Sequence, residues 1–233
     1  MRVAGLSSLG KRDINLYGQK YTMAALDADE QTVLEDNFNK LLGTTDSQVR
    51  RIFEERVDTI VAGIMAIKEK LENRKFRGMN PGDAEIGMAF IRPGFTIYDS
   101  GIRTDWNVAL AGMGTFSRFL DESATAGFLL SEDFGLIITH LVSQVTPEPY
   151  VRAVHFKIGR IDLIPEEVSD ILLGDNENGV AVFPVPTKFV LPEDELTVTV
   201  EGHAGTEYLK LGGLVIGMGR LLKREDLTDP EWG

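Results

Sequence analysis

Val180-Ala-Val-Phe-Pro-Val-Pro-Thr-Lys-Phe-Val190, Leu196-Thr-Val-Thr-Val200 and Tyr208-Leu-Lys-Leu-Gly-Gly-Leu-Val-Ile-Gly-Met-Gly-Arg-Leu-Leu222 decide the fold class. Each run is rich in β-branched, aromatic and aliphatic residues and is bounded by Pro, Asn-Gly or acidic turn residues, the pattern of β-strands. None of them carries a recognisable reaction centre. A β-rich chain of this kind points to a role carried by surfaces, in binding or building.

Outward toward the N-terminus the period of two persists. In Val151 to Ile164, Val154, Phe156 and Ile158 share one face, and the phase slips across Gly159-Arg160 before Ile161 and Leu163 continue it. A β-bulge at Gly159 is expected there, because one extra residue restores the facing of every side chain beyond it. Phe134 to Val142 is almost continuously apolar, which predicts a central strand buried on both faces. Ile86 to Ile91, Phe95 to Tyr98 and Trp106 to Leu110 read as short strands separated by Arg92-Pro-Gly94 and Asp99-Ser-Gly101. With strands about every ten residues and no β-α-β alternation, the pattern suits a sandwich or jelly roll.

The period changes to that of a helix before residue 80. Thr45 with Gln48 three residues on forms a start signal, and Val49, Phe53, Val57, Ile60, Ile64, Ile67 and Leu71 recur at spacings of three and four. One helix of about seven turns is expected, with Arg50, Arg51, Glu54, Glu55, Lys68, Glu69, Lys70 and Glu72 on a solvated, mixed-charge surface. Most amphipathic helices cover a core, so the stripe is expected to lie on the chain's own β domain, with a subunit contact as the alternative. Gly63 in mid-stripe suggests a close backbone approach. An acidic segment, Asp27-Ala-Asp-Glu30, could start a shorter helix carrying Val33, Leu34, Phe38, Leu41 and Leu42.

At 233 residues the chain can bury a sizeable core as one β domain with an appendage, and 43% hydrophobic with 26% charged residues is the composition of an ordinary globular protein. A net charge of -12 argues against nucleic acid as a direct ligand, which needs a clustered Lys/Arg face. The absence of cysteine removes disulfides and thiolate metal sites. The N-terminal stretch to Arg12 has too broken an apolar centre for a secretion signal, and Ile60 to Ile67 falls below the roughly 20 residues that span a bilayer.

Candidate chemistry is sparse. His140, His155 and His203 lie in no paired spacing that would put two imidazoles on one metal, and His140 and His155 are expected on a sheet surface or in a satisfied core contact. Gly112-Met-Gly114 and Gly217-Met-Gly219 lack the third glycine of a dinucleotide loop and read as bends. No Gly-x-Ser-x-Gly elbow supports a hydrolase, and Ser100 falls in a turn. Asp175-Asn-Glu-Asn-Gly179 lacks the spacing of a calcium loop and reads as a hairpin turn. Glu193-Asp-Glu195 reads as the solvated start of a strand, and Trp106 and Trp232 as packing residues. The expectation is no enzyme, no catalytic residue, no cofactor and no metal.

The helix-bearing segment, the run of short strands and the closing Phe183-Pro-Val-Pro186, Leu196-Thr-Val-Thr-Val200 and Leu211-Gly-Gly-Leu-Val-Ile216 together resemble the single-jelly-roll major capsid proteins of icosahedral, internal-membrane viruses of halophilic archaea. The resemblance covers roughly residues 80–222 and rests on size, order of elements and acidic bias. It implies a mainly β fold: a single jelly-roll barrel or sandwich with an N-terminal helical arm. The arm would span residues 1–79, the jelly-roll domain 80–225 and a C-terminal tail 226–233. It further implies a virion subunit that pairs with itself and with a second small capsid protein, above a membrane vesicle and without direct contact to nucleic acid. A β-sandwich binding module for carbohydrate or protein, or a virion spike or tail component, is the rival reading. Such a module would show an aromatic platform, and the five tyrosines and two tryptophans form none in the sequence.

Overall fold

The computed structural model describes residues 13–16, 19–22, 38–40, 42–43, 47–72, 86–91, 107–119, 128–130, 134–143, 151–167 and 181–218. It is mainly β, with two antiparallel sheets packed as a sandwich. The first sheet has the order β11 (Ala181–Val190), β7 (Phe134–Ser143), β13 (Gly205–Met218), β3 (Ile86–Phe90), and β4 (Asn107–Leu110) continues the line of β3 along β13. The second has the order β10 (Glu166–Glu167), β8 (Val151–Ile158), β12 (Glu195–Gly202), β5 (Ser117–Arg118). Along its two edges, β6 (Phe128–Leu129) continues β5 and β9 (Ile161–Asp162) precedes β10. A separate hairpin, β1 (Asp13–Leu16) with β2 (Gln19–Thr22), was not anticipated in the weakly periodic N-terminal segment.

Between the sheets lies one core, in which Leu136, Ile138 and Leu141 of β7 and Leu209, Leu211 and Val215 of β13 meet Val154, Phe156, Ile158, Val198 and Val200 of the second sheet. On the other side of the first sheet a second core is formed with two helices, α1 (Ser47–Glu55) and α2 (Val57–Glu72). Ile137 of β7, Phe189 of β11 and Leu214 and Ile216 of β13 face Ile60, Ile64 and Ile67 of α2. The first sheet is therefore buried on both faces, which is why its strands read as continuous apolar runs. The second sheet has helices on neither face among the described residues, and β12 alternates between half-buried and buried.

The single long helix expected from Thr45 to Leu71 is instead two. Arg56 parts them: its N–H bonds the Phe53 carbonyl three residues back, at 3.2 Å, and its own carbonyl restarts the ladder by accepting from Ile60 at 2.9 Å. Thr45 lies outside the described residues. The stripe lies against the chain's own sheet, with Ile60 and Ile67 fully buried. Helix α2 is buried more widely than its stripe, because Phe38 and Leu42 of a helical stretch at 38–40 and 42–43 join the same core. Lys68, expected on the solvated surface, is accordingly buried.

Gly159 is a second correction. Ile158 pairs directly with Ile161, so Gly159-Arg160 is the two-residue loop of a hairpin and not a bulge within one strand. Gly159 stands at φ 57° while Arg160 does not share a positive φ, the pattern of a type II′ turn. The apparent phase slip was the chain reversing. Of the other expected strands, Phe95 to Tyr98 lies outside the described residues, as does the turn at Asp175 to Gly179. Phe134 to Val142 is central, as its composition predicts.

Candidate functional site

Two polar groupings stand out against this framework. The first arises from a line of irregularity across the first sheet. On β11, Pro184 pairs with His140 and Lys188 with Ile138, so Val185, Pro186 and Thr187 stand opposite Thr139 alone. On β13, Gly212 pairs with His140 and the next residue, Gly213, with Ile138, so Thr139 has no counterpart there. Thr139 is thus an extra residue in β7 that resets the facing of the strand. Leu136 and Ile138 point into the sandwich before it, and beyond it His140 faces the helices and Leu141 the core.

Such an irregularity leaves carbonyls without ladder donors, and Pro184 and Pro186 have no N–H to offer. Arg56, at the helix break, makes up the deficit. Its Nη1 donates to the Thr139 carbonyl at 2.9 Å and to the Val185 carbonyl. Burial pulls the guanidinium below its ordinary pKa, while Glu55 and Glu166 act in the opposite direction. Glu166 of β10 also accepts from Lys188 Nζ, and that ammonium lies 5.8 Å from the Phe156 ring centroid. The Lys188–Glu166 pair ties the edges of the two sheets together where β11 lies over β10.

His140 completes this joint. It is 4% exposed, its Nδ1 lies 2.9 Å from Thr139 Oγ1, and its ring meets Phe53 of α1 edge-on with centroids 5.9 Å apart. Gly212 leaves room for it, since a Cβ there would stand 2.0 Å from Nε2. Burial, and then the neighbouring Arg56 charge, lower its pKa to about 4. The imidazole is neutral at pH 7, a satisfied core contact of the kind expected.

The second grouping lies on the outer face of the second sheet. His155 Nε2 is 2.5 Å from Asp162 Oδ1 across the β8–β9 hairpin, and Nδ1 is 3.4 Å from Thr199 Oγ1 of β12. Phe116, in the loop between β4 and β5, packs edge-on against the His155 ring at 5.9 Å and is 38% exposed. The loop is held by the Gly114 N–H, which donates to Glu201 of β12, and by Ser117, whose hydroxyl accepts from the Ala111 N–H at 3.1 Å. Met113 and Ile164 are also exposed, and Arg152 Nε donates to the exposed His203 at 3.3 Å. Although hydroxyl, imidazole and carboxylate stand in sequence here, Asp162 is largely exposed. A carboxylate this open to water orients an imidazole less firmly than the buried one of a catalytic triad.

The histidines thus fall in three separate places. Gly112 and Gly114 take positive φ in the loop, as bends do, whereas Gly217 is an ordinary residue of β13 and not a bend. Glu193-Asp-Glu195 is not simply a solvated strand start. Leu191 to Asp194 form a tight turn with Pro192 and Glu193 (φ 67°) at its centre, and half-buried Asp194 accepts the Leu191 N–H at 3.1 Å. Burial pushes that carboxyl up. Ser100, Trp106, Trp232, Gly219 and Asp175 to Gly179 lie outside the described residues. Among the described residues no group of three His, Cys, Asp or Glu side chains could hold a metal ion, and no helix is long and apolar enough to cross a membrane.

Arg56, Thr139, Glu166 and Lys188 were not singled out from the sequence. Signals existed for two of them: Pro-Val-Pro inside a strand announces the missing donors near Thr139, and Lys188 interrupts an apolar strand. No protein-family model matches the chain, and no curated protein matches its sequence.

Proposed function

We propose that the chain is a structural subunit of a virus particle: a major capsid protein that associates with itself and with a second small capsid protein to form an icosahedral shell around an internal membrane. One observation carries the reading, the nesting of the strand pairs. Taking each interrupted edge as one strand, the order along the chain is β3 with β4, β5 with β6, β7, β8, β9 with β10, β11, β12 and β13. The first then pairs with the eighth, the second with the seventh, the third with the sixth and the fourth with the fifth. A long hairpin rolled around itself pairs in this way, and such rolled hairpins are the jelly rolls on which many viral shells are built. The nesting supports the jelly-roll reading that the sequence resemblance implies, and the acidic balance agrees with a subunit that does not package nucleic acid directly.

The exposed face bearing Phe116, Met113, His155 and Ile164 favours a second reading, a β-sandwich binding module in a spike or tail. Sedimentation and electron microscopy of the purified chain, alone and together with the companion proteins of its virion, separate the two. Closed shells or pseudo-hexagonal plates are the expected result. A chain that stays monomeric at millimolar concentration in every such mixture would overturn the capsid reading.

A further inference from the structure

We propose that the Arg56–His140 joint is an acid-released latch: protonation of His140 frees helix α1 to swing away from the first sheet about the break at Arg56, while α2 and the sandwich stay in place. The geometry divides the helical layer unevenly. Helix α2 is held by a broad apolar face that no proton can weaken, whereas α1 buries only Ile52 and Phe53. Phe53 rests on the His140 ring as well as on Phe38 and Phe90, and the next tie, Arg56, is a guanidinium reaching into the Thr139 irregularity. The two polar groups beneath α1 are therefore adjacent, one of them titrates, and the apolar hold that remains is the small one of Phe53 with Val49.

The surroundings offer a second positive charge the Thr139 hydroxyl and no counter-charge. Facing His140 are Phe53 from α1, Gly212 from β13, Pro184 from β11 by register, Thr139 beside it on β7, and Arg56 as the charged neighbour. The Glu55 and Glu166 charges act on Arg56, and Glu166 is already engaged by Lys188. Gly212 and the strand backbone block the ring from turning away. A proton on the imidazole thus sets two cations against each other in a half-dry joint, and the softest adjustment is for α1 and the Arg56 side chain to leave.

The sign follows from linkage. With a folded-state pKa lowered from 6.5 to about 4, His140 costs the docked state nothing above pH 6.5 and weakens it progressively as the pH falls to about 4. Asp194 acts the other way. Its raised pKa favours the folded state on acidification, but it sits near Lys70 at the far end of α2 and does not hold α1. The undocked form of α1 should gain about a hundredfold between pH 7 and pH 4.

The chain lacks cysteine, so single cysteines report each layer. Ile52→Cys marks α1, Ile64→Cys marks α2 and Val200→Cys the core between the sheets. Labelling with 4,4′-dithiodipyridine, corrected for the reagent's own pH dependence, should rise about a hundredfold at Ile52→Cys from pH 7 to pH 4 and stay flat at the other two sites. Adding His140→Gln should abolish the rise. A flat Ile52→Cys, a parallel rise at all three sites, or a rise that survives His140→Gln would each overturn the latch. If Val200→Cys shows that His140→Gln itself unfolds the chain, His140→Phe, which keeps a ring against Phe53, takes its place with the same expected result.

Discussion

Gly63 marks a close approach of helix and sheet, for a Cβ there would lie 2.4 Å from the Phe189 ring and 3.0 Å from Ile137 Cδ1. Alanine in a helix is worth about 1 kcal/mol over glycine, but forcing a methyl into a filled space costs about 1–3 kcal/mol, so the crowding should win. Gly63→Ala should lower the melting temperature, and a rise would mean that Phe189 moves aside freely. Next to it, Ile64 is 2% exposed in a wholly apolar setting. Ile64→Asp would bury an unpaired charge at a cost of several kcal/mol. Loss of the helical signal in circular dichroism at room temperature is the expected outcome, and an unchanged thermal melt would place α2 off the sheet.

Elements show where local pattern suffices and where it fails. Helix α2 and strand β7 were legible because burial on one or both faces writes its period directly into the apolar residues. The break at Arg56 was not, because helical spacing runs straight through it. Its cause lies about 80 residues away along the chain, at Thr139, where a carbonyl lacks a donor. Nor was the β8–β9 reversal: a two-residue hairpin and a bulge both shift the alternation, and only pairing across the turn distinguishes them. The polar joint stayed hidden for the same reason, since Arg56, His140, Glu166 and Lys188 come from four separate elements. At the hairpin, the positive φ of Gly159 sets a substitution order. Gly159→Asn should be tolerated within about 1 kcal/mol, whereas Gly159→Val should cost more, because a β-branched side chain is poorly accommodated at positive φ. Equal denaturation midpoints for the two variants would rule out the turn geometry.

At the scale of the whole molecule, charge and edges govern association. Acidic residues outnumber basic ones by 36 to 24, so in the assembly proposed above adjacent subunits would repel until salt screens them. The screening length falls from about 10 Å at 0.1 M to about 3 Å at 1 M. The assembled fraction should rise with sodium chloride across that range, and a steady loss of assembly would show that intersubunit ion pairs dominate instead. Every outer edge of the sandwich is broken or irregular: β3 with β4, β5 with β6, β9 with β10, and β11 at its proline bulge. Such edges resist strand-to-strand aggregation, so the subunit contacts proposed above would use faces and loops. The nested pairing also dictates a timetable on the ribosome. The innermost pair, β8 with β9 and β10, is local and can close as soon as it emerges, but β13 is made after every other described strand and belongs in the middle of the first sheet, between β7 and β3. Until it arrives, those two strands have unsatisfied inner edges and the second core lacks Leu214 and Ile216 from its floor. The chain must therefore complete its sandwich after synthesis of β13, with the slow kinetics of long-range pairing, and a nascent chain arrested before Gly205 should bind chaperones rather than fold.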